Sequence, residues 1–333
     1  MKRTKWIAVS FLAASCLGHA MGVDDFRIRD PYVFVDGGKY YLYESKPWFG
    51  GREVKVRTSS DLVNWTEPSI ALVLPEDVPC TAIWAPEVHK YSGKYYLFVT
   101  ITERKGSRQV VAMGPAANEN FLVPRGTWGF VSETPLGPFN PLKRGPLPPA
   151  ELMTLDGTLL VENGQPYLVY CHEWCQMGSG TIEFARLKDD LTGLAESPRV
   201  LLTADTTVLG AGHVTDGCYF YRSSRSGVLH MIWSNFVKGH GYCVLTRRSV
   251  SGRLVGPWEN DEILFGENGG HGMIFTGLDG ILRLTIHQPN ENEKERMKMY
   301  VLKELGGRLS IDFHATKVNG NESGNYLPGE ESH

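Results

Sequence analysis

Apolar residues along the chain come in short runs broken by polar, glycine-containing turns, and ten of these runs fall into five pairs. Asp30-Pro31 opens DPYVFVDGGKYYLYES, Ala85-Pro86 opens APEVHKYSGKYYLFVT and Asp156-Gly157 opens DGTLLVENGQPYLVYC. Asp216-Gly217 opens DGCYFYRSSRSGVLHMIWS, and Gly270-His271 opens GHGMIFTGLDGILRLTIHQ. Each unit is a β-rich run, a turn containing Gly, and a second run of aromatic or branched residues, which is the pattern of a β-hairpin. From Asp30 to Glu87, Asp156, Asp216 and His271 the steps are 57, 69, 60 and 55 residues. A hairpin recurring at that spacing predicts a repeat architecture in which each unit is one four-stranded blade.

The segments between hairpins supply the outer strands. Glu53–Arg57 leads into Ser59-Ser60-Asp61-Leu62-Val63-Asn64-Trp65, and Thr181–Leu187 leads into Asp189-Asp190-Leu191. Gly137-Pro138-Phe139 and Gly256-Pro257-Trp258 recur at matching points of the second and fourth units. The predicted fold class is therefore all-β, a five-bladed β-propeller over residues 21–317, preferred to a sandwich of coincidentally similar hairpins. The first strand of each blade is innermost, and all five run the same way along a central channel. Their starting residues, Asp30, Glu87, Asp156, Asp216 and His271, are thus expected at one mouth.

Composition agrees with many short strands and tight turns: 37 Gly, 19 Pro, 14 Tyr, 14 Phe and 8 Trp among 333 residues. With 42% hydrophobic and 21% charged residues, the chain is not a disordered one. Residues 1–20 read as a secretory signal peptide: Lys2, Arg3 and Lys5, an apolar run from Trp6 to Leu17, then Gly18-His19-Ala20 as a cleavage site. Removing them leaves 31 basic against 37 acidic residues, a charge of −6 instead of −3. An acidic chain lacks the basic stripe of a nucleic-acid binder. The expected location is periplasmic or extracellular, without a membrane span. The alternative is a lipid anchor at Cys16, after Ala13-Ala14-Ser15. The other cysteines, Cys80, Cys171, Cys175, Cys218 and Cys243, have no zinc-type spacing and read as buried thiols, with a Cys171–Cys175 bridge as the other option. Residues 318–333 form a polar tail.

Carboxylates converging on one mouth are equipment for glycoside hydrolysis, in which one activates water and another protonates the departing oxygen. Clustered acids raise one another's pKa, so that one stays protonated near neutrality. Trp48, Phe49, Trp84, Trp174 and Phe236 lie near the expected mouth and suit sugar rings. Loops 46–52, 102–109 and 172–180 would shape the subsites. An oligosaccharide or polysaccharide is the expected partner.

The motifs Ile28-Arg29-Asp30-Pro31-Tyr32, Trp84-Ala85-Pro86-Glu87-Val88, Leu155-Asp156-Gly157-Thr158, Val214-Thr215-Asp216-Gly217 and Gly269-Gly270-His271-Gly272 resemble glycoside hydrolase family 43. The resemblance implies a five-bladed propeller acting on arabinofuranosides, β-xylosides or galactosides. It implies that Asp30 is the general base and that Asp156 holds the general acid and raises its pKa. It places His271 near the axis, where the family often carries calcium or water, so His271 is the candidate metal ligand and structural calcium the candidate ion, with no cofactor required. Glu87 is expected to buttress the substrate site. At the general acid the chain departs from the family, with Asp216 where Glu is usual. Asp is shorter by one methylene, about 1.5 Å of reach. Glu173, in Tyr170-Cys171-His172-Glu173-Trp174, is the first choice as substitute and Asp216 the second, with His172 as a substrate contact. The expected activity is an exported, exo-acting, inverting hydrolase of terminal α-L-arabinofuranosyl residues, with β-xylosyl or galactosyl sugars behind. A non-catalytic glycan-binding propeller is the alternative.

Overall fold

The computed structural model describes residues 21–45, 51–204, 209, 212–259 and 262–318. The expected signal segment, Cys16, Trp48, Phe49 and nearly all of the polar tail lie outside the described residues. The described strands form five antiparallel sheets of four, each sheet built from consecutive strands. Blade 1 comprises β1 (Tyr32–Asp36), β2 (Lys39–Ser45), β3 (Glu53–Ser59) and β4 (Ser69–Val73). Blade 2 comprises β5 (Cys80–Tyr91), β6 (Lys94–Glu103), β7 (Arg125–Ser132) and β8 (Asn140–Pro141). Blade 3 comprises β9 (Thr154–Glu162), β10 (Gln165–His172), β11 (Thr181–Arg186) and β12 (Arg199–Thr203), with the short helix α1 (Trp174–Met177) after β10. Blade 4 comprises β13 (Asp216–Arg222), β14 (Leu229–Val237), β15 (Gly241–Ser249) and β16 (Glu262–Phe265). Blade 5 comprises β17 (Gly270–Thr276), β18 (Leu282–Gln288), β19 (Arg296–Leu305) and β20 (Arg308–Ile311), followed by α2 (Phe313–Val318). This is the five-bladed β-propeller that the five hairpins predict.

The second strand of each blade explains why the apolar runs are continuous instead of alternating. It is sandwiched between neighbouring blades, so both of its faces are buried, as in β6 and β14. Outer strands such as β4 and β12 are half exposed and read as alternating or polar. Side chains close the ring between blades 5 and 1. Tyr40 packs on Phe275, Thr285 Oγ1 donates to Pro31 O at 3.1 Å, and Arg27 and Arg29 both reach Glu295. The Gly137-Pro138 and Gly256-Pro257 peptides are both cis and join the third to the fourth strands of blades 2 and 4. Among the described residues the five cysteines are free, four of them buried, so Cys171 and Cys175 form no bridge.

The innermost strands share a local irregularity that fixes the site. In blades 2 to 5 two residues oppose one on the neighbouring strand: Ala85-Pro86, Asp156-Gly157, Gly217-Cys218 and His271-Gly272. The first of each pair has positive φ, and so does Asp30, which precedes Pro31 in blade 1. Bulges of this kind re-aim a side chain. The bulge corrects the repeat alignment drawn from sequence. The position equivalent to Asp30 is Ala85, not Glu87, in blade 2, and Gly217, not Asp216, in blade 4.

Gly217 combines φ of +57° with a Cβ position only 2.5 Å from the His271 ring. Gly38, in the first hairpin turn, has φ of +73° and open space around it. Gly38→Ala is expected to cost the left-handed backbone term alone, about 1 kcal/mol. Gly217→Ala is expected to add an overpacking cost of about 1–3 kcal/mol. Urea unfolding midpoints compare the two, and equal losses would refute the packing argument.

Candidate active site

Antiparallel pairing brings the end of each second strand back to the level where the first begins; His172 at the end of β10 pairs with Thr154 at the start of β9. The bulges and the loops that follow these second strands therefore surround one mouth. A cavity of about 540 Å³ opens there. Asp156 and His271 reach it from bulges, Asp30 from the left-handed residue before Pro31, and Asp216 from the position before Gly217. Glu173 and Trp174 enter from the turn after β10, Trp84 from the residue before the blade 2 bulge, and Phe236 from the end of β14.

The remaining described candidates lie elsewhere. Glu87 sits two residues beyond the bulge residue Ala85, at the level of Tyr32 and Tyr219 within the channel, and does not line the cavity. It is buried, with Oε2 3.0 Å from His89 Nε2. His172 is also buried outside the cavity, because its ring turns into blade 3. Nδ1 lies 2.9 Å from Glu183 Oε1 and Nε2 lies 2.9 Å from Gln176 Oε1. Neither residue is placed to touch a substrate.

Asp30 is held among nitrogens. Its Oδ1 lies 3.2 Å from His271 Nδ1, 3.3 Å from His287 Nδ1 and 3.6 Å from Arg29 Nε. Burial pushes its pKa up, but the charges of His271 and Arg29 outweigh burial and hold the carboxyl well below the usual range. Asp156 is buried on blade 3, where Oδ2 accepts the Gly217 N–H at 2.9 Å and Oδ1 contacts Thr100 Oγ1 at 3.3 Å. Burial, and then the charge of Asp30, push its pKa well above the ordinary value. Asp216 is pushed up to about 7, first by burial and then by the charge of Asp156. Its Oδ2 accepts from the Tyr242 hydroxyl at 3.0 Å. Buried carboxyls coupled in this way titrate together, so Asp156 and Asp216 retain a proton between them near neutrality.

Glu173 has a different environment. Its Oε1 accepts from Arg125 Nη1, and the Arg125 guanidinium lies 4.9 Å from the centre of the Trp84 ring. Its Oε1 is thus committed as an acceptor in an ion pair and its Oε2 lies 3.8 Å from Cys175 Sγ, whereas Asp216 keeps one oxygen outside the Tyr242 contact.

Several lining residues escape sequence reasoning: Arg29, Arg125, Tyr242, Asn290 and Asn292. Arg29 stands in the motif beside Asp30 and was open to discovery there. Arg125 begins a third strand, and the asparagines belong to the β18–β19 loop, where no repeat pattern marks them. As for calcium, His271 Nδ1 has Asp30 Oδ1 at 3.2 Å and Asp156 Oδ2 at 3.9 Å. Among the described residues no three His, Cys, Asp or Glu side chains are arranged to hold a metal ion. No step of the chemistry is assigned to a metal ion.

Comparison with known proteins gives a consistent answer. The family model described as Glycosyl hydrolases family 43 matches residues 23–301. The extracellular exo-alpha-(1->5)-L-arabinofuranosidase ArbA of Cellvibrio japonicus (strain Ueda107) is 25% identical over 203 residues, 56% of this chain. That match spans 51% of the relative, about half its length. An endo-arabinase structure from Bacteroides thetaiotaomicron VPI-5482 is 31% identical with a TM-score of 0.76, covering 87% of this chain and 99% of that one. An alpha-L-arabinofuranosidase from Lactobacillus brevis, 16% identical with a TM-score of 0.68 over 88% of this chain and 97% of that one, shares the fold. With the motifs, five blades and acidic mouth already in place, the chain belongs to glycosyl hydrolases family 43 and is a glycosidase that hydrolyses O-glycosyl bonds.

Proposed function

We propose that the protein is an exported, exo-acting hydrolase that removes terminal α-L-arabinofuranosyl residues with inversion of configuration. The observation that carries this reading is the opposed protonation of two carboxyls facing one cavity, Asp30 well below the ordinary range and Asp216 pushed up to about 7. Environments that split the pKa values of two acids mark the base and the acid.

In this mechanism Asp30, ionised, orients a water and takes its proton as that water attacks the anomeric carbon. Asp216, protonated, gives its proton to the departing oxygen. Asp156 is a positioning residue: by accepting the Gly217 N–H it fixes the peptide that carries Asp216, and its own charge raises the acid's pKa. Asp216 replaces Glu173 as first choice for the acid, because Glu173 is engaged by Arg125. The His271 ring adjoins both carboxyls. Its Nδ1 faces Asp30, while its Cδ2 edge lies against Gly217, next to Asp216.

The arabinofuranosyl assignment is supported by the substrates named for the relatives, and exo action by the Cellvibrio japonicus protein. Endo action is the second reading, favoured by the likeness to the Bacteroides thetaiotaomicron endo-arabinase. Digestion of linear arabinan decides between them. Arabinose alone from the first time point is expected, and early release of mixed oligosaccharides would establish endo cleavage. A parallel panel of arabinofuranosides, xylosides and galactosides tests the sugar.

Asp30→Ala is expected to abolish hydrolysis with the fold intact by circular dichroism; full activity would refute the mechanism. Because the acid must be protonated, kcat/KM should fall as pH rises through about 7, while the acidic limb lies below the ordinary carboxylate range. Asp216→Asn should remove the limb near 7 and lower kcat about 10²–10⁴-fold on natural linkages. Its loss should be far smaller on a dinitrophenyl glycoside, whose leaving group needs no proton. Glu173→Gln should keep the limb near 7; its disappearance there would return Glu173 to the acid's role.

Export is supported by the pattern of residues 1–20 and by the extracellular relative. Intact mass of the exported protein is expected to match a chain beginning at Met21. A diacylglyceryl mass on a chain beginning at Cys16 would establish the lipid anchor instead.

A further inference from the structure

Between β6 and β7 of blade 2, residues 104–124 form a long connection that no blade requires, and connections of this length in compact folds are usually functional. This one is tied to α1, the turn that carries Trp174. The Met113 and Gly114 amides donate to Gln176 O at 2.8 and 3.1 Å, and the Asn118 amide donates to Cys175 O at 2.8 Å. The Gln176 side chain completes the clamp. Its Nε2 donates to Val111 O and Glu151 O at 2.9 Å each, and its Oε1 accepts the Met153 amide. Gln176 is wholly buried.

Despite this anchoring the loop carries three exposed large apolar side chains, Val111 (48%), Met113 (48%) and Phe121 (57%). Phe121 ends a 3-10 turn, Glu119–Phe121, and its ring lies 6.0 Å from that of Trp174, tilted by 46°. Trp174 lines the catalytic cavity. The exposed aromatic surface is therefore continuous with the cavity and leads away from it. Exposed apolar surface beside a cleft marks a ligand-binding extension, and flat aromatic faces offer large contact area without hydrogen-bond demands.

We propose that Phe121 determines specificity for chain length, forming with Trp174 a platform for the leaving-group side of an unbranched glycan beyond the first sugar after the scissile bond. The direction follows from the cavity. Asp216, the group that protonates the leaving oxygen, lines it together with Trp174, whose ring continues outwards to Phe121. With the terminal sugar in the cavity, the departing chain is assigned the path over Trp174 towards Phe121. This inference rests on the hydrolase reading of the same cavity and adds to it the occupant of the rim.

The test measures kcat/KM on linear di- and tetrasaccharides from arabinan, xylan and galactan, with the wild type, Phe121→Ala and Phe121→Trp. On whichever series the wild type cleaves, it should prefer the tetrasaccharide. Phe121→Ala should shrink that preference about three- to ten-fold, chiefly through KM, and Phe121→Trp should retain it. A preference unchanged in Phe121→Ala, or absent in the wild type, overturns the platform. A wild type that cleaves none of the oligosaccharides overturns the hydrolase reading instead.

Discussion

The floor of the mouth depends on one backbone constraint, a left-handed residue at the start of each innermost strand, which in blades 2 to 5 opens a two-residue bulge. A regular strand would direct successive side chains alternately to the two faces of its blade. The left-handed residue breaks that alternation and turns one position of each blade towards the channel. The five residues so placed are Asp30, Ala85, Asp156, Gly217 and His271. Two of the five are small, and that matters as much as the three that are polar. The absent side chain of Gly217 lets the His271 ring lie against its backbone and approach Asp30. Blades 2 and 4 then contribute from one residue earlier, with Trp84 and Asp216 as walls around a floor made by the other three.

The same constraint creates an electrostatic problem, because it brings three carboxyls into a buried cluster. Burial alone would neutralise all of them. The cluster is instead divided by what stands beside each acid. Asp30 has the Arg29 guanidinium and two imidazoles about it and is held ionised, whereas burial and their mutual charge push Asp156 and Asp216 up. Arg125, the other cation at the rim, is bound to Glu173. Asymmetric placement of cations around similar acids is what separates a proton acceptor from a proton donor within one cavity.

How much of this was legible in the chain follows from what each feature needs. The hairpins were legible because strands buried on both faces write unbroken apolar runs, and five runs at blade spacing leave little choice of architecture. Asp30, Asp156, Asp216 and His271 followed from the topology. The register did not. A bulge shifts the count by one residue without altering composition, so Glu87 aligned with Asp30 although Ala85 is its counterpart. His172 adjoins Glu173 in sequence, but it is the last residue of β10 while Glu173 belongs to the turn beyond it, and the His172 ring satisfies both nitrogens in the core. Arg125 and Tyr242 carry no pattern, since single residues on third strands become part of the site only once the blades are packed.

The length of Asp216 looks different in its setting. Judged against a Glu at the same motif position, Asp falls short by a methylene. A shorter side chain also has one fewer torsion to immobilise, which lowers the entropic cost of holding it in place. Its carboxyl stays closer to the backbone, inside the buried shell, where desolvation becomes the first cause of its raised pKa and the neighbouring charge of Asp156 the second. The Tyr242 hydroxyl then fixes one oxygen, and Tyr242 remains a donor because burial and the charge of Asp216 keep its own pKa well above the ordinary value. Under the proposed mechanism, reach is exchanged for rigidity and proton affinity, and the substrate must sit deep enough for its leaving oxygen to meet the acid. A deep first subsite with an aromatic rim beyond it is the geometry that such an exchange demands.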